Sequence, residues 1–302
     1  MPAPTLPKGK AVHDPGELAR QFEQLGYITD PALATAVYLA VSMGKPLLLE
    51  GHAGLGKTEI AKVLAAFLGT RLIRLQCYEG LDISSAVYEW NYQKQLLAIK
   101  IEEKTGLSVE EKEKHIFSRD FLMERPLLQA IQEKDASPVL LIDEVDRADE
   151  AFEAFLLELL SDFQISIPEL GTVKAKHVPL VILTSNRSRE LGDALKRRCL
   201  YHWIEYPSAA KEMKIVAARL PGIGAAFEKQ IVMFVQSVRK LNLMKSPGIA
   251  ETLDWAQALT SLGKDQLDAG AVEDTLGCLS KSMEDAAKIK AAGIEKILTE
   301  VG

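Results

Sequence analysis

The chain is short of cysteine, of histidine and of long apolar runs, and each shortage removes a class of function. Cys77, Cys199 and Cys278 are its only cysteines, with no CxxC spacing. They are too few for a disulfide framework, and free thiols in a reducing compartment are expected. Five scattered histidines show no metal-ligand spacing. No stretch of about 18 apolar residues marks a membrane span, and the Pro- and Gly-rich start from Met1 to Lys10 lacks the apolar run of a secretory leader, so a cytoplasmic location is expected. Basic charge is not in excess either. A net charge of −6 argues against non-specific binding to nucleic acid, which calls for a basic face.

What remains is the composition of an ordinary globular protein, with 47% hydrophobic and 26% charged residues in 302. That length accommodates two domains. The first 16 residues read as an arm with little structure of its own, followed by an α/β region to about residue 207. From Ser208 to the end the strand signals vanish and helical patterns take over, at about 208–219, 225–242, 250–261, 270–279 and 281–300.

The α/β region is organised around Gly51-His52-Ala53-Gly54-Leu55-Gly56-Lys57-Thr58, which fits the G-x-x-x-x-G-K-[ST] pattern that a triphosphate requires. A short apolar strand (46–50) precedes it, and a helix with one apolar face follows it (59–68). Glycines in such a loop let backbone N–H groups turn towards phosphate oxygens, and the helix N-terminus behind adds partial positive charge. Lys57 is placed to reach the β- and γ-phosphates of ATP, and Thr58 to hold Mg²⁺.

Four more segments carry chemistry. Val139-Leu140-Leu141-Ile142-Asp143-Glu144 reads as a fully buried parallel strand ending in two carboxylates, at the strand end where open α/β sheets bind ligands. Asp143 is expected to complete the Mg²⁺ site and Glu144 to orient and activate the attacking water. Val178–Thr184 is another buried strand, ending in Ser185-Asn186. Asn186, otherwise an ordinary turn residue, falls where it would meet the γ-phosphate or the water. A short helix at 192–198 ends in Arg197-Arg198, either a complement to the helix dipole or a charge for a neighbouring subunit's phosphate. Between the second strand (71–76) and the Asp-Glu strand lies an insertion near 77–125. Its aromatics Tyr88, Trp90 and Tyr92 favour core packing over a partner-contacting loop, and its charged run Lys100–Lys114 reads as a solvated helical face. Residues 163–175 read as a hairpin, and the order of strands and helices predicts a parallel sheet covered on both faces.

Together, the phosphate loop, the Asp-Glu strand, the Ser-Asn strand end, the paired arginines and a C-terminal helical region resemble the AAA+ ATPases over roughly residues 30–260. The insertion and the hairpin at 163–175 look like the MoxR branch. Thr184–Leu191 followed by Asp193–Leu200 is similar to MoxR-like proteins found beside molybdenum-type carbon monoxide dehydrogenases. The resemblance implies a P-loop NTPase fold with a three-layer αβα core (17–207) and a smaller all-helical lid (208–302). It also implies a hexameric homo-oligomeric ring with ATP and Mg²⁺ bound between subunits. Chaperone-like remodelling of a client, here a metalloenzyme, would follow, with a von Willebrand factor A protein as partner. Carried over by motif, Lys57 and Thr58 are Walker A, Asp143 and Glu144 Walker B, Asn186 is sensor 1, and Arg198 or Arg197 the arginine finger. One departure stands out: the family's lid presents an arginine shortly after a Ser-Pro, and Ser246-Pro247-Gly248-Ile249-Ala250-Glu251 has none, so lid-to-γ-phosphate signalling is expected either to be weak or to pass to another residue such as Lys245.

Two other readings compete. A nucleic-acid motor would need basic residues along the hairpin; Lys174 and Lys176 are there, but Glu169 offsets them and no aromatic series accompanies them. A small-molecule phosphotransferase would need an acceptor pocket and no arginine from a neighbour.

Overall fold

A computed structural model describes residues 4–7, 12–102 and 108–301, the last by its backbone alone. The rest of the N-terminal arm, and residues 103–107 of the charged run, lie outside the described residues. In chain order the elements are α1 (Pro15–Gln24), α2 (Pro31–Met43), β1 (Leu47–Gly51), α3 (Lys57–Leu68), β2 (Leu72–Gln76), α4 (Ile83–Ala86), β3 (Tyr88–Trp90), α5 (Tyr92–Glu102), α6 (Val109–Ile116), β4 (Leu122–Glu124), α7 (Pro126–Gln132) and β5 (Val139–Asp143). They continue with α8 (Glu150–Asp162), β6 (Gln164–Ile167), β7 (Gly171–Lys174), β8 (Leu180–Ser185), α9 (Asp193–Lys196), β9 (Leu200–Ile204) and α10 (Ala209–Arg219). The last five are α11 (Ala225–Arg239), α12 (Ile249–Ser261), α13 (Ala269–Leu279), α14 (Met283–Ala292) and α15 (Ile294–Val301).

Five strands form one sheet in the order β2-β5-β8-β1-β9, and β2–β5, β5–β8 and β8–β1 pair in parallel. This is the expected P-loop α/β fold with its helical C-terminal region. Val139 to Ile142 are wholly buried, as a central strand covered on both faces requires. In β2, by contrast, exposure alternates and turns Arg74 and Gln76 to one side. The register sets Gln76 opposite Asp143, Ile142 opposite Leu183 and Glu50 opposite Ser185, so β5, β8 and β1 end nearly level.

The chain divides into two compact units. One takes the described residues up to Leu18, Pro31–Glu50 and Ala61–His202. Its core runs from β2 and β5 through α7 and α8 to Leu195. Thr5 of the arm exchanges hydrogen bonds with Ser137, Thr5 N to Ser137 Oγ at 2.8 Å and Ser137 N to Thr5 O at 2.9 Å. The other unit takes Ala19–Asp30, Gly51–Ile60 and the chain from Trp203 onward. Trp255, Phe234 and Val235 are fully buried at its centre, with Trp255 Nε1 donating to Thr275 Oγ1 at 2.7 Å.

Three local expectations change. The helix expected over 281–300 is two helices, because Gly293 adopts φ 86° and ends α14 there. The charged run is not one continuous helix: Ser108 has extended backbone and is the N-cap of α6, with Glu111 completing a capping box. The three insertion aromatics part company. Trp90 is buried, edge-on to Phe117 at 5.4 Å, whereas Tyr92 is 64% exposed and starts a helix that also exposes Leu96, Leu97 and Ile101. Among the described residues, no helix is long and apolar enough to cross a membrane.

Candidate functional site

Within the sheet-bearing unit, the ends of β5 and β8 converge on two carboxylates. Asp143 is 2% exposed. One of its oxygens accepts from Thr184 Oγ1 at 2.6 Å; the other accepts from Arg74, Nε at 3.0 Å and Nη2 at 2.6 Å. Thr184 turns its hydroxyl both ways, since the same oxygen receives Glu144 N at 2.9 Å. Glu144 itself stands in the left-handed region, φ 54° and ψ 51°. A side chain there costs on the order of 1 kcal/mol, and such outliers gather at functional sites. The turn aims the carboxylate out of the strand, where both of its oxygens meet side-chain amides: Asn186 Nδ2 donates to Oε1 and Gln76 Nε2 to Oε2, each at 3.2 Å. Gln76 is oriented in turn by Arg74, whose Nη2 donates to its Oε1.

Asn186 is held from behind. Asp146, 3% exposed in the turn after β5, accepts from Asn186 N at 3.2 Å, Ser188 N at 2.8 Å and Ser188 Oγ at 2.6 Å. Burial alone would raise its carboxyl pKa, but these donors outweigh that and hold it below the usual carboxylate value. Cys77 lies beside this group, and burial with the charges of Asp143, Asp146 and Glu144 pushes its thiol up to about 12, which makes it inert. The next stretch of the β8–β9 connection is fixed by a second buried carboxylate: Glu153 pairs with Arg189 and accepts from Gly192 N at 2.9 Å.

The two arginines after α9 differ. Arg198 is tied within the chain, Nε donating to Ser161 Oγ of α8 at 2.6 Å and Nη1 to Ala194 O at 2.9 Å. Arg197 is exposed and, among the described residues, its guanidinium has no hydrogen-bonding or ionic partner.

The phosphate-binding pattern belongs to the other unit. Gly54 and Gly56 sit at φ 76° and 80°, the left-handed backbone that lets a loop turn its N–H groups inward. Gly51 is needed for closeness: a Cβ there would lie 2.6 Å from Ile204 O. Lys57, the first residue of α3, is buried, and its ammonium donates to Gly51 O at 2.8 Å and His52 O at 2.6 Å, which braces the loop from inside. His52 stacks on Tyr206 at 5.1 Å, and Arg239 lies over the same ring at 5.2 Å. Arg239 is paired with the fully buried Glu212 (Nη1 to Oε2 2.5 Å, Nη2 to Oε1 2.7 Å).

Where the lid arginine was missed, the chain presents backbone instead. Ala250 N donates to Gly54 O at 3.0 Å, and a Cβ on Gly248 would fall 2.9 Å from Ala53 O. Lys245 is exposed, and its N–H is taken by Asp285.

The sequence-predicted residues thus form two sets. Asp143, Glu144 and Asn186 come together around one carboxylate pair, and the loop from Gly51 to Thr58 folds as a brace around Lys57. Arg74, Gln76, Thr184 and Asp146 were missed. The alternation of Arg74 and Gln76 in an otherwise apolar strand was a usable signal; nothing marked Asp146 as different from a turn residue. Each unit has its own donors: the loop N–H groups with a helix start are of the kind that suits a phosphate, and Asp143 is of the hard-oxygen kind that suits a divalent cation. Among the described residues no three His, Cys, Asp or Glu gather as a transition-metal site would require.

Comparison with known proteins places this arrangement. The model of the AAA domain, dynein-related subfamily, matches residues 46–199, a little over half of the chain. Among solved structures, similarity is found to the RuvB Holliday junction branch migration motor of Thermotoga maritima, 17% identical over 87% of this chain and 66% of that one, TM-score 0.44. A proline-to-glycine mutant of that protein matches at 18% identity, 87% and 69% coverage and TM-score 0.48, and an alanine-to-serine mutant at 20%, 81% and 66%, and 0.47. This chain therefore spans about two thirds of their length. From the phosphate loop through the Asp-Glu strand to the arginine pair, the match covers the whole constellation, and the chain belongs to the AAA domain family, dynein-related subfamily.

Proposed function

We propose that this protein is an ATP-hydrolysing ring of the MoxR branch that remodels or activates a partner protein, with a metalloenzyme under maturation as the client. The observation that carries hydrolysis, rather than binding alone, is the Glu144 carboxylate held on both oxygens by Gln76 and Asn186. Two neutral amides fix its direction, as a base positioned to take a proton from water requires. In this reading Lys57 and the loop N–H groups would hold the phosphates, and Thr58 and Asp143 would be the residues to hold Mg²⁺, an ion that would supply neutralisation of phosphate charge. Asn186 orients the water or γ-phosphate, and an arginine from the next subunit completes the site.

The insertion supports a protein partner. Tyr78, Ile83, Tyr92, Leu96, Leu97, Ile99, Ile101, Val109 and Met123 are all exposed there, more than half of the large exposed apolar residues described. A nucleic-acid motor has less behind it: Lys174 and Lys176 are exposed on the hairpin, with Glu169 exposed at its tip. The test is to recover what co-purifies from the native source with the ATP-trapped Glu144→Gln variant. A recurrent protein lost on the Lys57→Ala variant supports the reading; enrichment of nucleic acid with no such protein overturns it.

A further inference from the structure

We propose that Asp146 is a positioning residue for ATP hydrolysis, fixing the backbone at Asn186 and thereby the Asn186 amide on the Glu144 carboxylate. The inference rests on the reading of Glu144 and Asn186 given above. Glu144 and Asp146 stand two residues apart on one turn, and they grip the same asparagine from two sides. Glu144 takes its side-chain Nδ2 at 3.2 Å, and Asp146 takes its backbone N at 3.2 Å.

The backbone between them is shaped for an anion. Arg187 adopts φ 57°, so Asn186 N and Ser188 N, on either side of it, point to the same place. Backbone N–H groups turned together make a concavity for negative charge, and the intervening Arg187 N donates instead to Ser185 Oγ at 3.0 Å. Here the anion is the protein's own Asp146. The left-handed backbone at a bulky residue is unfavourable, and charge-assisted hydrogen bonds at 2.6–2.8 Å offset it. The Ser188 hydroxyl adds the third donor, so three donors from one short segment converge on this carboxylate.

A purely structural role would require only that the loop be anchored. The arrangement does more, because the anchored residue is the one whose amide meets Glu144. Turning the Asn186 backbone without Asp146 would swing Nδ2 off Glu144 Oε1, and hydrolysis is steeply sensitive to such displacement: about 1 Å of misplacement costs on the order of 10²-fold in rate. Nucleotide affinity, carried in this reading mainly by the Gly51–Thr58 loop, is expected to depend on this amide far less than turnover does.

The experiment uses the full-length protein and compares Asp146→Asn, Asp146→Ala, Asn186→Ala and the Asp146/Asn186 double variants. ATP affinity is measured by calorimetry, turnover at saturating ATP, and thermal stability in parallel. Asp146→Asn keeps the shape but sets an NH₂ against one of the donors, so it carries the test if Asp146→Ala does not fold. The expected result is turnover reduced roughly 10- to 100-fold, ATP affinity unchanged within about twofold, and no further loss when Asn186→Ala is added, since both changes break one link. Turnover at the parental rate in a folded Asp146→Asn protein overturns the inference, as do losses that multiply in the double variant. Should Asn186→Ala alone leave turnover intact, the role given to Asn186 falls and this inference with it; if it slows turnover while Asp146→Asn does not, only the inference falls.

Discussion

Asn186 Nδ2 and Glu144 Oε1 stand 3.2 Å apart, joining the ends of two strands that are 42 residues apart in the chain. The contact ties the residue that would activate water to the one that would sense the γ-phosphate. It is made while Gln76, from a third strand, holds the opposite oxygen of the same carboxylate.

The two arginines after α9 predict different phenotypes. Arg198 is spent on Ser161 and Ala194, so Arg198→Ala should lower thermal stability, by roughly the 1–3 kcal/mol of lost hydrogen bonds to a charged group. Arg197 is exposed and, among the described residues, its guanidinium has no partner, so Arg197→Ala should leave the melting temperature unchanged while removing most assembly-dependent turnover, by about 10³-fold or more. Mixing Glu144→Gln subunits with Arg197→Ala subunits should restore part of the activity. If mixed rings form and restore nothing, Arg197 does not act between subunits.

Glu212 and Arg239 form a buried pair with 0% and 8% of their side chains exposed. Removing one partner strands the other charge, at a typical cost of 3–5 kcal/mol. Arg239→Ala should therefore unfold the helical unit at markedly lower denaturant. It should also release Tyr206, which Arg239 covers and on which His52 stacks. Urea titration followed by the fluorescence of Trp255 measures it, and a midpoint equal to the parent's would contradict the pairing.

Gly248 is seated against the phosphate loop, so restoring a side chain there should harm rather than repair. A Cβ would meet Gly54 C and O at 2.9 Å, both backbone atoms that cannot give way cheaply. Gly248→Ala is expected to cost about 1–3 kcal/mol of overpacking and to weaken ATP binding about tenfold or more, read by calorimetry.

Asp146 adds a pH signature. Its carboxyl is held below the usual 3.8, so its stabilisation is fully present above about pH 3.8 and is lost as pH falls through the lowered folded value. The stability gap between the parent and Asp146→Asn should hence be constant from about pH 7 to about pH 5, and narrow below about pH 3.8. A gap that widens on acidification would mean the carboxylate is not the stabilising form.

Much of this was legible in the sequence because it follows from periodicity and motif. The apolar run 139–142 could only be a central strand, and Gly54 and Gly56 announced a loop that needs left-handed backbone. What escaped depends on register. That Gln76 pairs opposite Asp143, and so reaches Glu144, follows from how β2 lies on β5, which no local pattern reveals. Asp146 looked like any acidic turn residue, since its donors come from a segment 40 residues later. The break at Gly293 was visible as a glycine, but the apolar pattern on either side masked it.

The most direct test of the whole account is the Glu144→Gln protein, assayed side by side for ATP binding and hydrolysis. Glutamine keeps the shape and one accepting oxygen but has no basic carboxylate. The account predicts ATP affinity within a few-fold of the parent and turnover lower by about 10²–10⁴-fold, the usual worth of a positioned base. Turnover near the parental rate would show that water is activated elsewhere, and the assignment of Glu144 would be wrong.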